Sequence, residues 1–307
     1  MERRIKVTFL GPVASFSHQA AVEFFGESAE LLPRISFAHT LSAVQQNEAD
    51  YAIIPCENST NGAVVQTFDL LADPNNFYRD VKVCGAHYLT VHHCLLARRS
   101  VFTRPYDYGS VTKLYTHPQA WGQCESFLGA DLKGIERQDV SSTSKAADIV
   151  SKDTERSAAI ASRFSAGHYG LEVLKEHIED KGDNITRFLV LRNSGSECTE
   201  SGPLSDPINF RTPELSTSPV ARKTLISFTV RQDTPGALAD ALLIFKSYGM
   251  NLTSINSRPS QKKNWQYVFF VECQGATLGE DDKAVAEILY RLQSVTEKCR
   301  HLGTWSE

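Results

Sequence analysis

A threonine, an arginine and a phenylalanine stand together at Thr186-Arg187-Phe188, where the turn-prone run from Lys181 passes into an apolar strand pattern ending at Leu191. They bring a hydroxyl, a planar fork for a carboxylate and an apolar wall. At a strand end facing a cleft, that trio suits binding a small anionic molecule. Alone it is equally the start of an ordinary strand with a surface arginine. Its meaning rests on companions.

Four other segments place polar side chains at similar junctions. Gly11 to Ala21 follows an apolar strand at Ile5–Phe9; Ser15 or Ser17 can cap the next helix and leave N–H groups facing an anion. Cys56 to Gly62 follows Tyr51–Pro55, read as a buried parallel strand that its proline ends; Asn61-Gly62 is turn chemistry, whereas Glu57, Asn58 and Ser59 have no such need. Thr116 to Cys124 follows a strand at Val111–Tyr115, with Thr116 as cap, Pro118 in the first turn, and Gln119 and Gln123 on one helical face. Ser141 to Ser144 open a helix beginning near Lys145.

The elements that must position these residues read as alternating short strands and helices. They include a capped helix at Thr40–Gln46, a strand at Ser157–Ala161 and a polar connection at Glu172–Asp180. Residues 81–97 alternate as a strand and carry His87, His92 and His93. His92 and His93 point to opposite faces, and no acidic or cysteine partner stands at ligand spacing. They read as structural histidines, with no metal.

At 307 residues, 41% hydrophobic and 22% charged, the chain fits a globular protein of two or three units. A net charge of -4 offers no basic footprint for nucleic acid or an anionic membrane. No apolar run is long enough to span a bilayer, and the start lacks a signal-peptide core, so an unprocessed cytoplasmic chain is expected. Seven scattered cysteines without a Cys-x-x-Cys pair match a reducing compartment. Residues 193–222 hold 13 Ser, Thr or Pro in 30 and read as a linker. The tail then runs strand, helix, strand, strand, helix, strand: the βαββαβ order of ferredoxin-like folds.

In this order the five motifs and the tail resemble the prephenate dehydratase family. The resemblance implies an α/β fold: a catalytic domain over 1–195 with two lobes like a type II periplasmic binding protein, a linker over 196–222 and an ACT regulatory domain over 223–307. It implies a catalytic Thr186 and substrate contacts from Glu57, Asn58, Ser59, Thr116, Gln123, Ser142, Thr143, Asn184, Arg187 and Phe188. Two segments match the family's effector-binding stretches: Gly236, Ala237 and Leu238, then Asn251, Leu252, Asn256, Ser257, Arg258 and Pro259. Departures are Ala14-Ser15 where the family has Gly-Thr, Thr116 for serine, and Asn256 for glutamate.

The implied reaction converts prephenate to phenylpyruvate with loss of water and carbon dioxide. It needs no cofactor: the ring hydroxyl needs a donor, the two carboxylates need cationic or N–H partners, and aromatisation drives the step. L-Phenylalanine as inhibitor and a homodimer or homotetramer paired through the tail are further implications. Two other readings stay open, an arogenate dehydratase and a non-catalytic receptor; a receptor has no need of the Thr186 hydroxyl.

Overall fold

The structure is a computed structural model describing residues 3–26, 28–99, 108–196, 222–275 and 281–306. The expected linker lies almost wholly outside these residues. The first lobe contains β1 (Lys6–Leu10), α1 (Phe16–Phe25), β2 (Glu30–Arg34), α2 (Phe37–Gln45), β3 (Tyr51–Asn58), β4 (Gly62–Ala63), α3 (Val65–Ala72) and β5 (Val81–Thr90). The second holds β6 (Cys94–Ala97), β7 (Lys113–Thr116), α4 (Pro118–Gln123), α5 (Glu125–Asp131), β8 (Glu136–Asp139), α6 (Thr143–Lys152), β9 (Ser157–Ala161), α7 (Arg163–Tyr169) and β10 (Glu172–Lys175). The chain returns to the first lobe as β11 (Ile185–Asn193). A C-terminal unit follows: β12 (Arg222–Val230), α8 (Ala237–Ser247), β13 (Asn251–Pro259), β14 (Tyr267–Gln274), α9 (Asp281–Val295) and β15 (Thr296–Ser306).

Each lobe has its own sheet, ordered β5-β11-β3-β1-β2 in the first and β10-β6-β9-β7-β8 in the second. Residues 91–93 and 176–184 cross between them. The crossings are tied together: Val91 N–H donates to Asn184 O at 2.7 Å and Ile178 N–H to His93 O at 3.0 Å. Strand ends and helix starts of both lobes therefore meet across one cleft.

Several local expectations are corrected. Pro55 does not end β3, which runs on to Asn58; Pro55 lies opposite Phe188, beside a register shift between Arg187 and Phe188 where the ladder tolerates a missing N–H. β3 is parallel to β1 but antiparallel to β11. Ser36, not Thr40, caps α2, and Thr40 sits one turn inside with its hydroxyl donating to Ser36 O. Glu172–Lys175 is a strand rather than a connection. The strands β2 and β8 escaped the sequence reading because both are edge strands: β8, Glu-Arg-Gln-Asp, is exposed throughout and has no apolar face to betray it.

The C-terminal unit is not a separate body. Its sheet, ordered β13-β14-β12-β15, joins the first lobe's through β15 and β5 at Gly303 and Val83. Gly303 has φ +145, and a β-carbon there would stand 2.0 Å from Val83 O, so only glycine permits the approach. One face of this sheet carries α8 and α9 around Phe228, Phe245 and Leu292. The other shares a core with the first lobe, in which Leu225, Phe270, Leu302 and Trp305 pack with Leu41, Phe68 and Leu71.

Candidate active site

The cleft between the lobes has a volume of about 1010 Å³. Ser15 and Ser142 cap α1 and α6, accepting from His18 N–H and Lys145 N–H, so two capped helix starts border it. Among the described residues its lining includes no carboxylate and a single guanidinium, Arg34. Such a surface is built for an anion.

Thr186 stands at the cleft edge of β11, and its hydroxyl is oriented. Asn58 Oδ1 accepts from the N–H groups of Thr60 and Asn61 at 3.0 and 2.9 Å. That leaves Asn58 Nδ2 to donate to Thr186 Oγ1 at 2.9 Å and to Asn184 Oδ1 at 2.7 Å. Because Thr186 Oγ1 already accepts, its own O–H is left to donate into the cleft. Across the cleft, Gln123 Oε1 lies 2.7 Å from Nε2 of the buried His93. Burial lowers the His93 pKa below its ordinary value, against the raising effects of Gln123 and Glu179. Burial thus favours the neutral ring. With Nε2–H given to Gln123, Nδ1 is left buried without a hydrogen-bond partner among the described residues.

Of the residues singled out by sequence, Asn58, Gln123, Ser142, Thr143, Asn184 and Thr186 line the cleft together. Five do not. Thr116 is wholly buried in β7, its hydroxyl donating to Ile160 O at 2.7 Å, and His117 caps α4 in its place. Phe188 is core, packed with Phe9, Phe25 and Val190. Ser59 ties its loop to β11, accepting from Ile185 N–H at 2.9 Å. Arg187 points away from Thr186, as strand alternation requires, and lies 3.1 Å from Glu57 and 2.7 Å from the buried Glu272 of β14. The expected carboxylate fork is thus an interdomain ion pair, and Glu57 goes with it.

Cleft residues that sequence reasoning missed include Arg34, His93, His117 and Phe16. Arg34 ends a strand with no sequence signature; His93 sits where the strand pattern of 81–97 breaks at the first crossing. Ala14 holds a left-handed conformation, φ 61, where the family's glycine would sit without strain. His18 Nδ1 accepts its N–H at 2.9 Å, and Ser165 of α7 donates to its carbonyl at 2.7 Å, docking this loop on the second lobe.

The C-terminal segments are split. Gly236, with φ +82, precedes α8; Ala237 is buried and Leu238 packs on the local core. Asn251 and Leu252 are exposed at the start of β13, and Ser257 and Pro259 near its end. Arg258 pairs with Asp69 of α3 through two contacts at 2.6 and 3.2 Å. Asn256 lines a small void with Arg187 and Glu272 at the domain interface.

A family model for prephenate dehydratase matches residues 7–196, and one for the ACT domain matches residues 224–289. The chain belongs to the prephenate dehydratase family. Its activity is the family's, that of a lyase. Relatives of that family include a bifunctional chorismate mutase/prephenate dehydratase of Aquifex aeolicus, 37% identical over 99% of this chain and 74% of the relative. A probable prephenate dehydratase of Saccharomyces cerevisiae is 32% identical over 88% of this chain and 87% of its own length. The solved structure of an Arthrobacter aurescens prephenate dehydratase in complex with L-Phe is 28% identical, with TM-score 0.80, covering 99% of this chain and 90% of that one.

Proposed function

We propose that the chain converts prephenate to phenylpyruvate in the cleft, with the Thr186 hydroxyl donating a hydrogen bond to the departing ring hydroxyl, which leaves as water with a proton from solvent while the ring carboxylate leaves as carbon dioxide. The observation that carries this reading is the hydrogen-bond arrangement at Thr186: Asn58 occupies its acceptor side and leaves the donor side toward the cleft. Arg34, rather than Arg187, is the candidate partner for a substrate carboxylate, helped by the N–H groups at the starts of α1 and α6. Gln123 and neutral His93 flank the ring, while Ser142, Thr143 and Asn184 orient it. Loss of carbon dioxide and water leaves an aromatic ring, so positioning and one donor carry the step.

L-Phenylalanine acts on the C-terminal domain, over 223–307, as feedback inhibitor. Register supports pairing of two chains there. Asn251 is level with Gln274 and Arg258 with Val268, so Asn251–Leu252 lies about 20 Å along β13 from Arg258–Pro259, and β12 runs parallel, ending near Gly236–Leu238. β13 is an edge strand, and antiparallel pairing with a second copy brings Leu252 of one chain beside Pro259 and Gly236 of the other. Buried cysteines at 56, 84, 94 and 124 that form no disulfide support a reducing, cytoplasmic setting.

The test is product formation by the pure protein offered prephenate and arogenate separately. Prephenate should be consumed, and Thr186→Ala should lose about 10²- to 10³-fold in kcat while Thr186→Ser keeps appreciable activity. Turnover of a folded Thr186→Ala protein at the parent rate would end the assignment; preference for arogenate would reassign the substrate.

A further inference from the structure

The two crossings between the lobes bring together three side chains outside the cleft lining. His92 lies in the first crossing, His177 and Glu179 in the second. His92 Nδ1 is 2.7 Å from Glu179 Oε1, His177 Nδ1 is 3.2 Å from the same oxygen, and the two Nδ1 atoms are 3.2 Å apart. The Glu179 side chain is 3% exposed, whereas those of His92 and His177 are 41% and 62% exposed, so the triangle opens to solvent. From behind, His93 N–H donates to Glu179 Oε2 at 2.8 Å. Burial works against the Glu179 charge, but hydrogen bonds from His92, the His93 backbone and His177 hold its carboxyl below the ordinary range. His177 has φ 53, a conformation uncommon outside glycine, and its ring meets His92 edge-on at 4.5 Å.

We propose that this trio binds a first-row transition dication, zinc foremost, and that the ion bridges the two crossings. Donors about 2.0–2.2 Å from zinc, at angles between octahedral and tetrahedral, stand about 2.8–3.6 Å apart. Two of the three separations lie in that range, and the third needs to open slightly. Two imidazole nitrogens and one carboxylate oxygen suit zinc over magnesium or calcium, and three ligands leave room for water. The His93 N–H bond is the outer contact that fixes the carboxylate's orientation. Without an ion, both Nδ1 atoms lie within hydrogen-bond reach of the one Glu179 oxygen; a bound ion takes the place of those contacts, with each imidazole hydrogen then on Nε2. Bound there, it adds a link to the backbone bonds at Val91–Asn184 and His93–Ile178 and resists relative motion of the lobes.

The test strips the full chain with a chelator, titrates it with zinc chloride, and repeats the titration with cobalt chloride to read the absorption spectrum. One equivalent should bind per chain, magnesium chloride should not compete, and the cobalt spectrum should be that of a nitrogen and oxygen site with no sulfur-to-metal band. His177→Asn, which tolerates the left-handed backbone, and His92→Gln should each weaken zinc by at least about 10- to 100-fold, the loss that even an outer-shell partner brings. Circular dichroism checks that both variants fold. Equal zinc affinity in wild type and folded variants, competition by magnesium, or a sulfur band overturns the proposal. If a variant fails to fold, the wild-type cobalt spectrum decides: that of the aquo ion at one equivalent means no site.

Discussion

Arg187 and Arg34 exchange roles between sequence and structure, and kinetics can tell them apart. Arg34 lines the cleft and shares its guanidinium with the exposed Glu48 at 2.9 Å, a pair that a substrate carboxylate can displace at little cost. Arg34→Gln should raise KM for prephenate and lower kcat/KM by about 10- to 100-fold, the worth of a charged hydrogen bond. Arg187→Gln should instead show its main effect on stability and phenylalanine response; steady-state kinetics with and without phenylalanine distinguish the two. His93 makes a pH prediction. Its folded pKa is lowered, so the unfolded chain binds its proton more readily. Stability from keeping it neutral is fully present above about pH 6.5 and is lost as pH falls through the depressed value. Urea unfolding from pH 8 to 5 should show a smaller acid-side loss in His93→Gln than in the parent.

At the scale of elements, α3 stands between cleft and regulatory domain. Its first residues, Val65 and Gln66, line the cleft; Phe68 meets Phe270 at 5.2 Å and Asp69 pairs with Arg258. β11 offers a second link, because Thr186 faces the cleft while Arg187 reaches Glu272, which also accepts from Thr253 at 2.8 Å beside Leu252. A ligand near Leu252 would therefore sit beside Thr253, from which Glu272 and Arg187 lead to the strand that carries Thr186. Asp69→Asn should leave turnover near the parent value while raising the half-inhibiting phenylalanine concentration by at least about 5-fold. Glu272→Gln removes one partner from a buried pair and should cost about 3 kcal/mol in urea unfolding, the lower end of the usual range because Arg187 keeps Glu57. Unchanged inhibition in both variants would place the communication elsewhere.

For the whole molecule, the shared core makes catalysis and regulation one folded body. Leu225, Phe270, Leu302 and Trp305 cover apolar side chains of the first lobe, so cutting the chain at residue 223 would bare Phe68 and Leu71 to water. Point substitutions are thus the cleaner probe of regulation than deletion. Pairing belongs to this scale as well. Light scattering should give at least a dimer, and Ile255→Lys, at a half-exposed position of the β13 edge, should shift it toward monomer and blunt inhibition. A monomer with full phenylalanine response would refute pairing through this edge.

The sequence by itself determined the βαββαβ tail and the strand-to-helix junctions, because strand alternation and serine caps act over a few residues and leave a local signature. Ser15, Asn58, Gln123, Ser142 and Thr186 were legible for that reason. Which way each side chain of the Thr186-Arg187-Phe188 run points was decided by the tertiary structure, since a strand buried between β3 and β5 must aim one residue into the cleft, the next at Glu272 and the third into the core. The same holds for the histidines: His92 has no acidic neighbour in sequence, and Glu179 reaches it across 87 positions only because the two crossings run side by side. Contacts of that separation follow from how the lobes connect, and no local pattern encodes them.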